Sequence, residues 1–201
     1  VDFSSNPRVP NETLYELAVP GPGLETFREV STDTVPPPRY AHVSINDPEG
    51  QRGIILGGGV PDDTPFEFTS HHDDVWELDY SEADPVFTRL IETAITPPSS
   101  FMATATDSTS RTAYLFGGFS AAGMGVDGIY AIDLASDPIT ITDAGTLSSA
   151  RGALGVVDMG DGTALLIDGS TALIAASPMQ QAERFDYASG ESTPVTLTGT
   201  R

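Results

Sequence analysis

Val75-Trp76-Glu77-Leu78-Asp79 returns as Ile129-Tyr130-Ala131-Ile132-Asp133 and again as Ala182-Glu183-Arg184-Phe185-Asp186. Each is a short β-rich run that closes on an aspartate, the pattern of a strand entering a turn. The aspartates stand at 79, 133 and 186, so the steps are 54 and 53 residues. A fixed period near 50 signals repeated supersecondary units.

Upstream of each run the pattern continues. Leu56-Gly57-Gly58 recurs as Phe116-Gly117-Gly118 and, more weakly, as Ile167-Asp168-Gly169. Ahead of each glycine pair lies another strand-like run, beginning near Arg39, Ser100 and Arg151. Four strands per unit are therefore expected, near 39–46, 52–58, 74–80 and 86–92 in the first. They fall near 100–107, 112–118, 128–134 and 139–144 in the second, and near 151–158, 163–169, 182–187 and 193–198 in the third. Leu14-Tyr15-Glu16-Leu17 matches Val75-Trp76-Glu77-Leu78, and Phe27-Arg28-Glu29-Val30 matches Phe87-Thr88-Arg89-Leu90. Residues 13–30 thus read as the third and fourth strands of a preceding unit. The intervals Leu17 to Phe27, Leu78 to Phe87, Ile132 to Ile141 and Phe185 to Val195 are 10, 9, 9 and 10, as cross-strand partners in one repeated hairpin would give.

Four short strands in a period near 50 are what one blade of a β-propeller requires. The chain resembles the kelch repeat from residue 13 to 198, through Gly57-Gly58, Gly117-Gly118 and Asp73-Asp74-Val75-Trp76-Glu77-Leu78-Asp79. The family's aromatic positions are filled here by Leu78 and Phe87, Ile132 and Ile141, and Phe185 and Val195, and Asp168-Gly169 replaces the third glycine pair. The resemblance implies an all-β, kelch-type β-propeller forming an incomplete ring of four-stranded antiparallel blades. Its expected divisions are a half blade and linker at 1–36 and blades at 37–95, 96–147 and 148–201. Three and a half blades cannot close a ring. The open faces would be covered by the remainder of the propeller, from the same parent chain or a second copy.

Composition narrows the function. The 201 residues are 39% hydrophobic, enough for a core. Nine basic residues, all arginine, face 29 acidic ones, for a net charge of −20. Such a surface is repelled by phosphate backbones and anionic lipid, so a protein partner is expected and no nucleic acid. There is no cysteine, which excludes disulfides and thiolate chemistry, and no apolar run long enough to span a bilayer. The start of the chain lacks the basic-then-apolar pattern of a signal peptide; the expected setting is extracellular or cell-envelope, secreted, with the signal already removed.

Candidate binding residues come from two places. Arg39 and Arg151 open the first strands of their units, where the family resemblance implies a rim that contacts acidic peptides. The connections 59–73, 119–127 and 170–181 are long and are expected to cluster on one face. They carry Phe66, Phe68, Phe119, Met124, Leu173, Ile174 and Met179, apolar groups on loops over a rigid scaffold. His71-His72-Asp73-Asp74 is the densest set of potential ligands. Adjacent residues on an extended chain point to opposite sides, so a solvated loop is expected there and no metal or cofactor. Asp158-Met159-Gly160-Asp161-Gly162 and Asn46-Asp47-Pro48-Glu49-Gly50 read as hairpin turns. The resemblance also implies copper oxidases on this scaffold, but their site needs a cysteine. The reading is a non-catalytic binding or assembly module; an enzyme on the same scaffold or a surface-layer repeat are the alternatives.

Overall fold

The computed structural model describes residues 14–18, 21, 25–62, 68–91, 99–174 and 179–196. Among them there is no helix, and the strands form antiparallel sheets of two to four members, none of which closes on itself. β1 (Leu14–Ala18) pairs with β2 (Thr26–Val30). The first four-stranded sheet contains β3 (Val43–Asp47), β4 (Arg52–Leu56), β7 (Val75–Asp79) and β8 (Val86–Ile91) in that order. Between β4 and β7, β5 (Gly59–Pro61) and β6 (Phe68–His71) form a separate ribbon. The second sheet runs β9 (Ala103–Asp107), β10 (Thr112–Phe116), β11 (Gly128–Asp133) and β12 (Thr140–Thr146). The third runs β13 (Gly155–Asp158), β14 (Thr163–Ile167), β15 (Ala182–Asp186) and β16 (Ser192–Val195).

The repeated aspartates are turn residues. Asp79, Asp133 and Asp186 each accept, through the side chain, the backbone N–H two residues on, from Ser81, Ala135 and Ala188 at 2.8, 2.8 and 3.0 Å. Asp107 and Asp158 do the same for Thr109 and Gly160 in the turns between first and second strands. A short carboxylate that caps its own turn ends a strand wherever it stands. That requirement imposes the period.

Apolar side chains fill the spaces between consecutive sheets. Val43, Ile45, Ile54, Leu56 and Val75 of the first meet Ala113, Leu115, Ile132 and Leu134 of the second. Tyr114, Phe116 and Ile129 on the other face of the second meet Ala164, Leu166 and Phe185 of the third. β10 is therefore buried on both faces and reads as an unbroken buried run, Ala113 to Phe116.

Three expectations change. The first strands begin three to four residues late, at 43, 103 and 155, because Ala41, Phe101 and Ala153 take φ of 57°, 52° and 53°. This kink turns the preceding residues away to bridge the second-to-third-strand connection, as Tyr40↔Gly59, Ser100↔Phe119 and Gly152↔Ser170. The β5–β6 ribbon stands where a loop was expected. Leu17↔Phe27, Leu78↔Phe87 and Ile132↔Ile141 are cross-strand partners, but Phe185 pairs with Ser192 and Val195 with Ala182. The turn after Asp186 is short: Gly190 at φ 71° donates to the Asp186 carbonyl, which brings β16 back early.

The glycine pairs are where sheets touch. A Cβ on Gly57 would lie 2.8 Å from the Ser99 carbonyl, and one on Gly117 would run into the Arg151 carbonyl, each in the segment that leads into the next sheet. Asp168 stands at the position of Gly117 with the same backbone, φ 56° against 57°. Aspartate tolerates the left-handed region better than most residues. Gly117→Asp should then destabilise the protein by about 2–4 kcal/mol, from overpacking plus backbone strain. Asp168→Gly should stay within about 1 kcal/mol. Equal losses in denaturant titrations of the two variants would refute this account of the pairs.

Candidate functional site

The three long connections gather on one face. In the second sheet's connection, Ser120 donates from its backbone to Met124 and accepts from Gly123, at 2.9 and 2.8 Å, so Met124 stands at the tip of a tight loop, 55% exposed. The third sheet's connection zips onto it: Gly125 N–H donates to Thr171, Leu173 N–H donates to Gly123, and Met124 bridges Ala172. From the connection between β4 and β7, β6 brings Phe68 and His71 alongside. Together they line a cavity of about 320 Å³ whose walls are Phe68, His71, residues 120–124 and residues 172–174.

Aromatic packing builds its floor. Phe68 stacks on Tyr40 with ring centres 4.8 Å apart, and His71 lies 4.6 Å from Phe68. Phe101 meets Tyr40, Phe68 and Phe119 edge-on at 6.4, 6.2 and 6.1 Å. Such contacts hold large rings rigidly at little entropic cost. Of the expected binding residues, Phe68, His71 and Met124 line the cavity, with Leu173 and Ile174 beside them. Phe119 is buried instead, and Met179 is not in the cavity wall; its N–H donates to the Gly169 carbonyl. Phe66 lies outside the described residues. Tyr40 and Phe101 fall in runs expected to be first strands and not among the expected binding residues; the positive φ at Ala41 and Phe101, which nothing in the sequence marks, turns them toward the connections.

His71 and His72 diverge, as neighbours on a strand must. His71 Nε2 is 3.1 Å from Ser100 Oγ, and His72 Nε2 is 3.3 Å from the Pro38 carbonyl. Among the described residues no three of His, Asp or Glu gather around a possible metal position. Burial lowers the pKa of His71, His72 and His42 below the usual 6.5, aided by His72 for the first and Arg39 for the other two. The cavity wall therefore presents an uncharged imidazole at neutral pH.

Arg39 and Arg151 are not on an exposed rim. Arg39 grips Asp74 with both terminal nitrogens, at 2.7 and 3.0 Å, and donates to the Pro37 and Gly57 carbonyls. Trp76 Nε1 donates to the same carboxylate at 2.7 Å. Burial alone would push the Asp74 carboxyl up, but hydrogen bonds from Arg39 and Trp76 outweigh it and leave its pKa lowered. Arg151 is fully buried and lies 2.5 Å from Glu183, which also accepts from Ser148 N–H and Ser192 Oγ at 2.9 and 2.6 Å. Both arginines lock the segment before a first strand to the start of the third strand of the same unit, at Asp74 just ahead of β7 and at Glu183 within β15.

No family model matches this chain, and no curated protein matches it either.

Two predictions follow from these ionisable groups. Asp74→Leu leaves Arg39 buried without its partner and should cost about 3–5 kcal/mol, whereas Asp74→Leu combined with Arg39→Met should cost far less than those two single changes summed. Thermal melts of the four proteins decide it, and simple additivity would refute the pairing. For the histidines, folding favours the neutral ring while the unfolded chain still takes up protons near 6.5. Their contribution is thus complete above that pH and is lost as pH falls below it. His71→Gln should lose less stability than the parent between pH 7.5 and 5.5; parallel curves would contradict the burial of this ring.

Proposed function

We propose that the chain is a kelch-type propeller segment acting as a non-catalytic binding module. Its ligand is a protein segment that places an apolar side chain in the loop-face cavity. The observation that carries this reading is the cavity itself, walled by the connections of three consecutive sheets. Repeated four-stranded meanders, double-glycine contacts between sheets and long connections on one face support the propeller assignment. The side chains lining the cavity are apolar or small apart from Ser120 and His71, while polar atoms make up about half of its exposed surface, which suits an apolar anchor carried on a segment whose backbone can hydrogen-bond. The surrounding charge of −20 favours basic residues flanking that anchor.

The test is selection from a displayed random-peptide library. Enriched peptides should combine an apolar or aromatic anchor with lysine or arginine, and salt should weaken their binding. Ala122→Trp, which fills the cavity, and Met124→Asp, at its lip, should each weaken binding at least about tenfold, a loss of about 1.4 kcal/mol. Peptides that bind both variants as they bind the parent would overturn the assignment.

A further inference from the structure

One imidazole of the loop-face cavity sits in a seat that suits only its neutral form. His71 is half-buried in the cavity wall, with its ring 4.6 Å from that of Phe68. Its Nε2 lies 3.1 Å from Ser100 Oγ, and Ser100 is fully buried. Nδ1 is shielded from solvent and has no hydrogen-bond partner among the described residues. A neutral ring that gives its one proton to Ser100 Oγ leaves only a lone pair at Nδ1. A second proton has to go to Nδ1, where it makes a buried N–H on a charged ring with nothing to accept it. The surroundings offer no relief. On its own segment the neighbouring charge is His72, which opposes a positive ring, whereas Asp73 and Asp74 act on His72 and Asp74 is gripped by Arg39. Of the elements packed around the seat, the segment before β3 brings Tyr40 behind Phe68, and the segment before β9 brings Ser100 and Phe101. The other two connections bring residues 120–124 and 172–174, and the described cavity lining carries no carboxylate.

Resting on the binding-module reading above, we propose that His71 is an acid-operated gate of the cavity. Seated and neutral, it completes the wall against which an apolar anchor packs; once protonated, it leaves the seat and the ligand is released. The half-buried ring has a way out to water, where both of its N–H groups are hydrated. Leaving breaks its bond to Ser100 and its contact with Phe68, so the wall opens on that side. Burial and His72 hold the ring's pKa below the usual 6.5, which puts the change on the acid side of neutrality. Ligand and proton then exclude one another. Affinity is complete above that pH and falls as the pH drops through the lower value of the folded ring, by at most about tenfold per pH unit for one proton. The coupling is reciprocal, so bound ligand drives the titration of His71 to lower pH. His42 and His72 are not in the cavity wall, and His72 turns to the Pro38 carbonyl, so the gate belongs to one residue.

The probe is a histidine-free peptide taken from the library selection at pH 7.5. Its affinity for the parent should be level from about pH 8 to 7 and at least about threefold weaker at pH 5.5, still above the range of ordinary carboxylates. His71→Gln and His71→Phe cannot take up the proton, so whatever affinity each retains at pH 7.5 should persist to 5.5. His72→Gln should keep the parent's loss. In NMR titrations, saturating peptide should lower the pKa of His71 and leave those of His42 and His72 in place; this readout decides the matter even where both position-71 variants bind too weakly to follow. A parent with level affinity down to pH 5.5, a position-71 variant that keeps the parent's loss, or a His71 titration indifferent to peptide each overturns the gate. If the peptide binds with level affinity and Ala122→Trp still weakens it, the gate fails and the binding-module reading stands. If no peptide binds the parent at pH 7.5, both fail.

Discussion

The architecture depends on a few backbone hydrogen bonds between one sheet and the next. Gly58 N–H donates to the Ser99 carbonyl and Gly118 N–H to the Arg151 carbonyl, both at 2.9 Å. In return Phe101 N–H donates to Ala41 and Ala153 N–H to Phe101, at 2.9 and 3.0 Å. Two backbones can approach this closely only where one lacks a Cβ and where the other is kinked to aim its N–H outward. The paired glycines meet the first condition, and the positive-φ residues 41, 101 and 153 meet the second. Everything peripheral follows. Once these contacts set the spacing of consecutive sheets, the apolar layers between them interdigitate, and the connections that leave the glycine pairs emerge side by side.

The opposite ends of the strands are tied by side chains instead. Asp47 accepts from Arg52 of its own sheet at 3.0 Å and from Arg111 of the next at 2.8 Å, and Arg52 also reaches the Leu134 carbonyl across the interface. Burial would raise the Asp47 carboxyl, but the two guanidinium groups bring it net down. One interface later Tyr114 Oη donates to the Tyr187 carbonyl at 3.1 Å, a neutral substitute for the same reach. Every described arginine lies within ion-pair distance of a carboxylate. In so acidic a chain, positive charge is used where sheets must be held, and the unmatched carboxylates form the outer field.

Much of the fold was legible because its requirements are local and recur. An aspartate that caps its own turn, a glycine that must sit at positive φ and an apolar run between them leave traces at fixed spacing, so the strands of all four units could be placed. The Phe185 register slipped because Gly190 shortens one turn, a difference invisible to the count from Phe185 to Val195. The β5–β6 ribbon was hidden because Gly59, Val60 and Pro61 carry no alternation. The fate of Arg39 and Arg151 depended on partners about 30 residues away. One trace of that pairing was available: Glu183 occupies the place of Trp76 and Tyr130, and a charge where the repeats keep an aromatic ring needs a buried counter-ion.

The two ends of the sheets therefore differ in what sequence change they tolerate. At the turns capped by Asp79, Asp133 and Asp186, and at the Asp47 cluster, each residue satisfies a specific donor, so substitution there acts on stability. On the connections beyond the glycine pairs, the loops are held mainly by backbone hydrogen bonds, such as Gly125 to Thr171 and Leu173 to Gly123. Their side chains, Met124 and Ile174 among them, are left exposed at the lip of the cavity. A surface whose shape is set by main chain and whose chemistry is set by uncommitted side chains can change its ligand without unfolding its scaffold. That separation is the physical reason for proposing recognition at the loop face.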